Sequence, residues 1–350
     1  MKRILFICGS MNQTTQMHAI ARQLEEYDCH FTPFYSHGLL GWLAKHGVLE
    51  FSILGSKLGT RALAYMRQHD LQVDLHGKQH RYDLVLTCSD LVIPRNIRDN
   101  RVILVQEGMT DPEGLAYHLV KWLRLPRWLA STSTTGLSHR YDLFCVASEG
   151  YRRHFLRKGV RPETLRVTGI PNFDNCAAYR DNSFPHRDFV LVATSDARET
   201  FKYENRSALI RRCLRIADGR QLIFKLHPNE DARRATREIA ALAPEALVYA
   251  DGDIHHMIAN CAVLVTRFSS VVYVGLALGK EVYSAFDIDE LRALLPLQNG
   301  GTSAQHIARE CRMLMERESA PRRVVRDAYP WLDTFFSPQP FARLRAKFRG

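Results

Sequence analysis

A chain of 350 residues with 46% hydrophobic and 24% charged residues has the ordinary globular balance, which excludes disordered and fibrous classes. Its length suggests two domains of roughly 100–200 residues each. The net charge of +11 is arginine-heavy, 38 Arg to 10 Lys, and points to phosphate, anionic lipid or nucleic acid, with compositional bias as the plain alternative.

The opening Lys2-Arg3-Ile4-Leu5-Phe6-Ile7 superficially resembles an export signal, but the apolar run breaks at Gly9-Ser10 and turns polar through Asn12-Gln13-Thr14-Thr15. That pattern predicts a first β-strand and a cytoplasmic protein. Further strands are expected at residues 84–87, 102–105, 143–147 and 165–168, after helices at 14–26 and through the 39–69 region. A break at Gly169-Ile170-Pro171-Asn172 precedes a second series at 189–193, 222–225, 247–249, 263–266 and 281–284, with helices at 231–242 and 270–278. Short apolar runs alternating with amphipathic stretches imply an α/β fold with mostly parallel sheets. The eight scattered cysteines contain no C-x-x-C pair and read as buried thiols in a reducing compartment. No stretch of about 18 apolar residues is present to span a membrane.

In open α/β sheets ligands bind beyond the carboxyl ends of the strands. The first series places Gly9-Ser10, Ser89-Asp90, Gln106-Glu107-Gly108 and Ser148-Glu149 there. The second places Thr194-Ser195-Asp196, His227-Pro228-Asn229, Asp251-Gly252-Asp253 and Arg267-Phe268-Ser269-Ser270. His227, held by the fixed φ of Pro228, can donate to a phosphate oxygen, with the charge of Lys225 nearby. Ser269 and Ser270 are expected as N-cap and first-turn residues of a helix ending at Gly279, where hydroxyls and free N–H groups suit an anion. Ordinary helix capping is the plain alternative. The two tips lie about 40 residues apart in one sheet and converge on a diphosphate-sized site.

The order Lys225-Leu226-His227-Pro228, Asp251-Gly252-Asp253, then Ser269-Ser270-Val271-Val272-Tyr273 closed by Leu278-Gly279-Lys280 resembles the C-terminal half of GT-B transferases. It is most similar to the CDP-glycerol glycerophosphotransferase and capsule-polysaccharide transferase group. The first half is more loosely similar to the non-hydrolysing UDP-N-acetylglucosamine 2-epimerases, through Tyr82–Leu86 leading to Asp90, Val105–Gly108 and Val167–Pro171. The likeness runs over roughly residues 1 to 285, with its specific part at 222–282.

The resemblance implies two Rossmann-like α/β domains facing across a cleft, with boundaries 1–171 and 172–320. A basic helical tail, 321–350, would cross back onto the first domain. The donor phosphates would lie on His227, Ser269 and Ser270, with Lys225 and Arg267 adding charge. The nucleotide would lie near Ser195, Pro228, Tyr249 and Asp251, and Gly9-Ser10 would form a loop of the cleft. Epimerases of this kind carry Ser-Gly-Gly followed by paired glutamates, where this chain has Tyr273 and Val274.

Transfer requires a base on the acceptor side and positive or N–H donors on the donor side. Glu107 is the first candidate base, Asp90 the second and His18 the third, with Arg198 a further candidate for charge. The plain alternative for Glu107 is a cap or an ion pair. A dehydrogenase is poorly supported because Gly9-Ser10-Met11-Asn12 is not G-x-G-x-x-G, and no Walker loop occurs. His255-His256 is an adjacent pair without an i, i+4 partner, so no metal and no cofactor is expected.

Most of the charge lies elsewhere. Residues 114–140 hold Lys121, Arg124, Arg127 and Arg140 without an acid, interleaved with Trp122, Trp128 and several leucines. Residues 321–350 carry a further +5 with six aromatics, so the two segments supply 9 of the 11 net charges. Such interleaving fits an anionic membrane surface, extended by the apolar stretch 38–59 with Trp42, and nucleic acid is the less expected partner. A core helix with snorkelling basic side chains is the alternative for 114–140.

The expected protein is a cytoplasmic transferase, peripheral at the inner face of the plasma membrane. It would move a glycosyl or polyol-phosphate group from a UDP-, CDP- or CMP-linked donor to a surface-polysaccharide or lipid-linked acceptor. A UDP-sugar 2-epimerase and a non-catalytic nucleotide-sugar or polyanion binder are the alternatives.

Overall fold

Runs of Ile, Leu, Val and Phe supply the strands, and a computed structural model describes residues 1–37, 41–42, 46, 55–195, 198–199 and 204–317. The chain divides into two units. The first contains residues 1–146, 152–168 and the described residues from 304 onward, and the second contains 147–151 and 169–303.

In the first unit β1 (Arg3–Cys8), β2 (Asp28–Pro33), β3 (Leu84–Thr87), β4 (Arg101–Val105), β5 (Leu143–Val146) and β6 (Leu165–Val167) form one sheet in the order β2-β1-β3-β4-β5-β6. In the second, β7 (Val190–Ala193), β8 (Leu222–Lys225), β9 (Leu247–Tyr249), β10 (Val263–Thr266) and β11 (Glu281–Tyr283) are ordered β11-β10-β7-β8-β9. All pairings are parallel. Parallel strands are covered on both faces, which is why β3, β5, β7, β8 and β10 are buried at every position.

All ten strands expected from the sequence are present, and β2 is an addition. Its Asp-Cys-His-Phe-Thr-Pro run lacks an apolar block, and β1 is its one strand neighbour, with a single bridge from Phe31 to Val73 on the outer side; a terminal Pro33 is tolerated at such an edge. The helix expected at 14–26 spans Met11–Ala21 instead, because the Ser10 hydroxyl accepts from the Gln13 N–H and starts the helix earlier. Part of the 39–69 region forms the helix Ser56–Gln68, and the rest of the stretch 38–59 lies mostly outside the described residues.

The helix Ser303–Glu316 buries Ala304, Ile307, Ala308, Cys311, Leu314 and Met315 in one core with Phe6, Met17, Leu86 and Val105 of the first unit. The chain thus returns to that unit at the start of this helix, ahead of the expected position at 321. A boundary at 320 would have left an apolar helix face without its core. The expected tail 321–350 lies outside the described residues. All eight cysteines are unpaired and seven are buried. Among the described residues no helix is long and apolar enough to cross a membrane.

Strand order locates the crevice in each sheet. The chain passes from β1 to β2 on one side and then crosses to β3 on the other side of β1, and likewise passes from β7 through β8 and β9 on one side to β10 on the other side of β7. In open α/β sheets such switch points are where ligands bind, beyond the carboxyl ends of the strands.

Candidate functional site

In the second unit the tips of β10, β7 and β8 lie side by side, bringing Arg267 to Ser270, Thr194-Ser195 and Leu226-His227 to one edge. The buried Thr194 hydroxyl accepts from the His227 main-chain N–H at 3.0 Å and donates to Glu230 at 2.5 Å. His227 Nδ1 accepts from the Asn229 N–H at 3.2 Å, which leaves the ring proton on Nε2. The imidazole is therefore set up as a donor.

Beneath these tips lies an ion-pair network. Glu230 pairs with Arg206 and, at 3.3 Å, with Arg198; Arg206 also donates to Glu204 at 2.7 Å. Ser195 donates to Glu204 at 3.1 Å, and Arg198 also reaches Glu238 at 2.8 Å. The side chains of Glu204, Arg206 and Glu230 are all buried. The network braces the β7 and β8 tips through Thr194. Arg267 lies 3.8 Å from Glu204, with its guanidinium over the Phe268 ring, and remains a third exposed.

Several expected residues are placed differently. Lys225 is buried with Nζ donating to the Leu226 and Ala250 carbonyls at 2.9 and 2.8 Å, and burial pushes its pKa down. It ties β8 to the loop after β9. The Tyr249 hydroxyl lies 3.0 Å from His186 Nε2, and its ring packs on Phe184. Asp251 and Pro228 are exposed, and Asp253 caps the helix Ile254–Asn260 by accepting from His255 N–H. His255 stacks on Tyr179.

The helix after β10 spans only Val272–Ala277, with Val271 as its cap residue, so Ser269 and Ser270 lie in the preceding turn. Ser269 Oγ is 3.5 Å from the Val271 amide. A Cβ on Gly275 would come within 2.8 Å of Leu264, so glycine there lets this helix lie close on β10.

In the first unit the tips of β1, β3 and β4 adjoin. Glu107 accepts from the Ser10 hydroxyl and from the Gln13 side-chain amide, each at 2.6 Å. The Gly9 N–H in turn donates to Gln13 Oε1 at 3.0 Å. The carboxylate is half-buried and held by two neutral donors, with no cation among those contacts.

Asp90 has a different part. Its buried carboxylate accepts from the Gly136 and Ser138 N–H groups at 3.0 Å each and lies 3.5 Å from Arg127. Gly136 has φ +85°, and a Cβ there would come within 3.0 Å of Val160 and Phe144. Asp90 thus anchors a tight loop and is almost fully buried. His18 lies 3.0 Å from the Tyr65 hydroxyl, and its pKa is lowered by burial, then by His69 and Arg22.

No protein-family model and no curated protein matches the sequence. Solved structures do match. The UDP-N-acetylglucosamine 2-epimerase of Neisseria meningitidis bound to UDP-GlcNAc is 12% identical with a TM-score of 0.56, covering 89% of this chain and 100% of that one. Staphylococcus aureus MnaA with UDP is 13% identical at TM-score 0.54, covering 91% and 99%. The wall teichoic acid polymerase TagF soaked with CDPG is 11% identical at 0.51, covering 90% and 89%. The chain has the GT-B fold.

Within this GT-B chain, His227, Ser269 and Glu107 stand at strand tips as expected, and Ser10 lies against Glu107 as well. The contact of Gln13 with Glu107, the link from Thr194 to His227 and the network of Glu204, Arg206 and Glu230 were not expected from the sequence. Thr194 stood at the end of β7, but its importance depends on β7 lying between β10 and β8. That order is a property of the GT-B topology and of no local motif.

Proposed function

We propose that the protein is a transferase using a nucleotide-activated donor. It moves a glycosyl or polyol-phosphate group from a UDP-, CDP- or CMP-linked donor to a surface-polysaccharide or lipid-linked acceptor. The observation that carries this reading is the alignment of His227, Ser195 and Ser269 on three adjacent strand tips at a switch point, with His227 fixed through Thr194. Solved neighbours of the same fold hold UDP, UDP-GlcNAc and CDPG, which supports a nucleotide ligand.

In this proposal negative charge builds on the leaving phosphate as the donor bond breaks. His227 Nε2–H, the hydroxyls of Ser269 and Ser270 and the Arg267 guanidinium meet that charge. The acceptor hydroxyl gives its proton to Glu107, whose two donors hold the carboxylate in one orientation. No metal ion or cofactor enters the reaction as proposed.

Because epimerases share the fold, a UDP-sugar 2-epimerase is the second reading. Against it, the positions corresponding to the paired glutamates hold the buried Tyr273, whose hydroxyl lies 2.6 Å from that of Tyr151, and Val274. Neither carries an acid. The two readings separate on UDP-N-acetylglucosamine incubated with the protein alone. The transferase leaves its NMR spectrum without a manno epimer, and accumulation of that epimer would assign the epimerase reaction instead.

A further inference from the structure

The helix Leu115–Leu123 has two apolar faces. Tyr117 and Val120 are buried in a small core with Ala130, Leu125 and Leu137. At roughly 100° per residue, Leu115, Leu119, Trp122 and Leu123 fall within a single arc on the other side. They are 84%, 49%, 80% and 50% exposed. Trp128 and Leu129, in the turn that packs beside this helix, are 41% and 47% exposed. Six large apolar side chains thus face outward within 15 residues, which is more than scattered surface exposure.

Charge indicates what covers this face. Arg124, the C-cap residue of this helix, is exposed beside Leu123, Lys121 is exposed on the side towards Tyr117, and residues 114–140 contain no acid. Lys121 Nζ lies 3.4 Å from the Tyr117 hydroxyl and 3.3 Å from the Lys158 carbonyl, which holds its charge at the helix flank. The nearest acids precede the helix. Asp111 accepts from Thr132 at 2.8 Å, and Glu113 is exposed. A second copy would bring the same cations together, and the chain's own 321–350 segment is itself basic by +5. Both are disfavoured by like charge.

We propose that this face docks on an anionic lipid surface. Leu115, Leu119, Trp122 and Leu123 enter the boundary between headgroups and acyl chains, Trp128 and Leu129 extend the contact, and Arg124 meets the headgroup phosphates, with Lys121 adding positive charge from the helix flank. The docking rests on this helix and the turn beside it and is independent of which reaction the protein catalyses.

The test is flotation with phosphatidylglycerol and phosphatidylcholine vesicles, compared with phosphatidylcholine alone. Wild-type protein is expected to float with the anionic vesicles and to be released by salt. The double variant Leu119→Ser/Trp122→Ser, which alters only exposed side chains, is expected to partition about tenfold less. Arg124→Glu should weaken binding to anionic vesicles and not to neutral ones. Circular dichroism and melting temperature establish that the variants are folded. Equal flotation of wild type and double variant would overturn the proposal. So would absence of flotation, whether sedimentation then shows a dimer lost in the double variant, which assigns the face to a second copy, or a monomer throughout.

Discussion

Glu107→Gln is expected to lower donor turnover by about 10²–10⁴-fold while leaving nucleotide affinity unchanged, the range in which a positioned general base contributes. The substitution keeps the size of the side chain and can keep the Gln13 contact through its carbonyl, with the Ser10 hydroxyl turned to accept from the new NH2, but it removes the basic oxygen. Asp90→Asn supplies the contrast. Asp90 is buried against the Gly136 and Ser138 N–H groups and Arg127, so its replacement should lower the melting temperature and leave turnover per folded molecule near wild type. Steady-state rates on folded protein separate the two. Full activity in Glu107→Gln would remove it as the base, and a turnover loss in Asp90→Asn without destabilisation would restore that residue as the candidate.

Arg206→Met is expected to cost about 3–5 kcal/mol of stability, read from the urea midpoint. Arg206 is buried between Glu204 and Glu230, and its loss leaves two buried carboxylates to share Arg198, Arg267 and the hydroxyls of Ser195 and Thr194. Because Glu230 also holds Thr194, and Thr194 holds the His227 main chain, the same variant should weaken nucleotide binding. Combining it with Glu230→Gln should recover part of the lost stability, since one uncompensated charge is then removed. A small shift in the midpoint of the single variant, or strictly additive effects in the double, would show that the network does not brace these tips.

The sequence was most legible where burial dictated residue type. A parallel strand covered on both faces must be apolar throughout, so β3, β5, β7, β8 and β10 could be read directly as blocks. The polar edge strand β2 could not. Strand tips were legible as positions, and His227, Ser269 and Glu107 do stand at them. The directions of their neighbours were not. Lys225 lies two residues before His227, yet its long side chain folds back, and its Nζ goes to the Leu226 and Ala250 carbonyls. Asp90 stands at a strand tip as Glu107 does, but the loop that closes over it comes from residues 136–138, far along the chain. The outward leucines of 115–129 were ambiguous for a related reason. Periodicity finds an apolar face without saying whether anything covers it.

The central claim, that the tips of β7, β8 and β10 bind the phosphates of a nucleotide-activated donor, is tested most directly by calorimetric titration of wild type, His227→Ala and Ser269→Ala. The titrants are UDP-, CDP- and CMP-linked donors, chosen first by the rise in melting temperature that a ligand of the folded state produces. The account predicts that at least one donor binds the wild type and that both variants, folded, bind it about tenfold or more weakly, as expected for loss of a hydrogen bond to a charged group. Wild-type affinity in both variants, or no binding of any donor to the wild type, would contradict it.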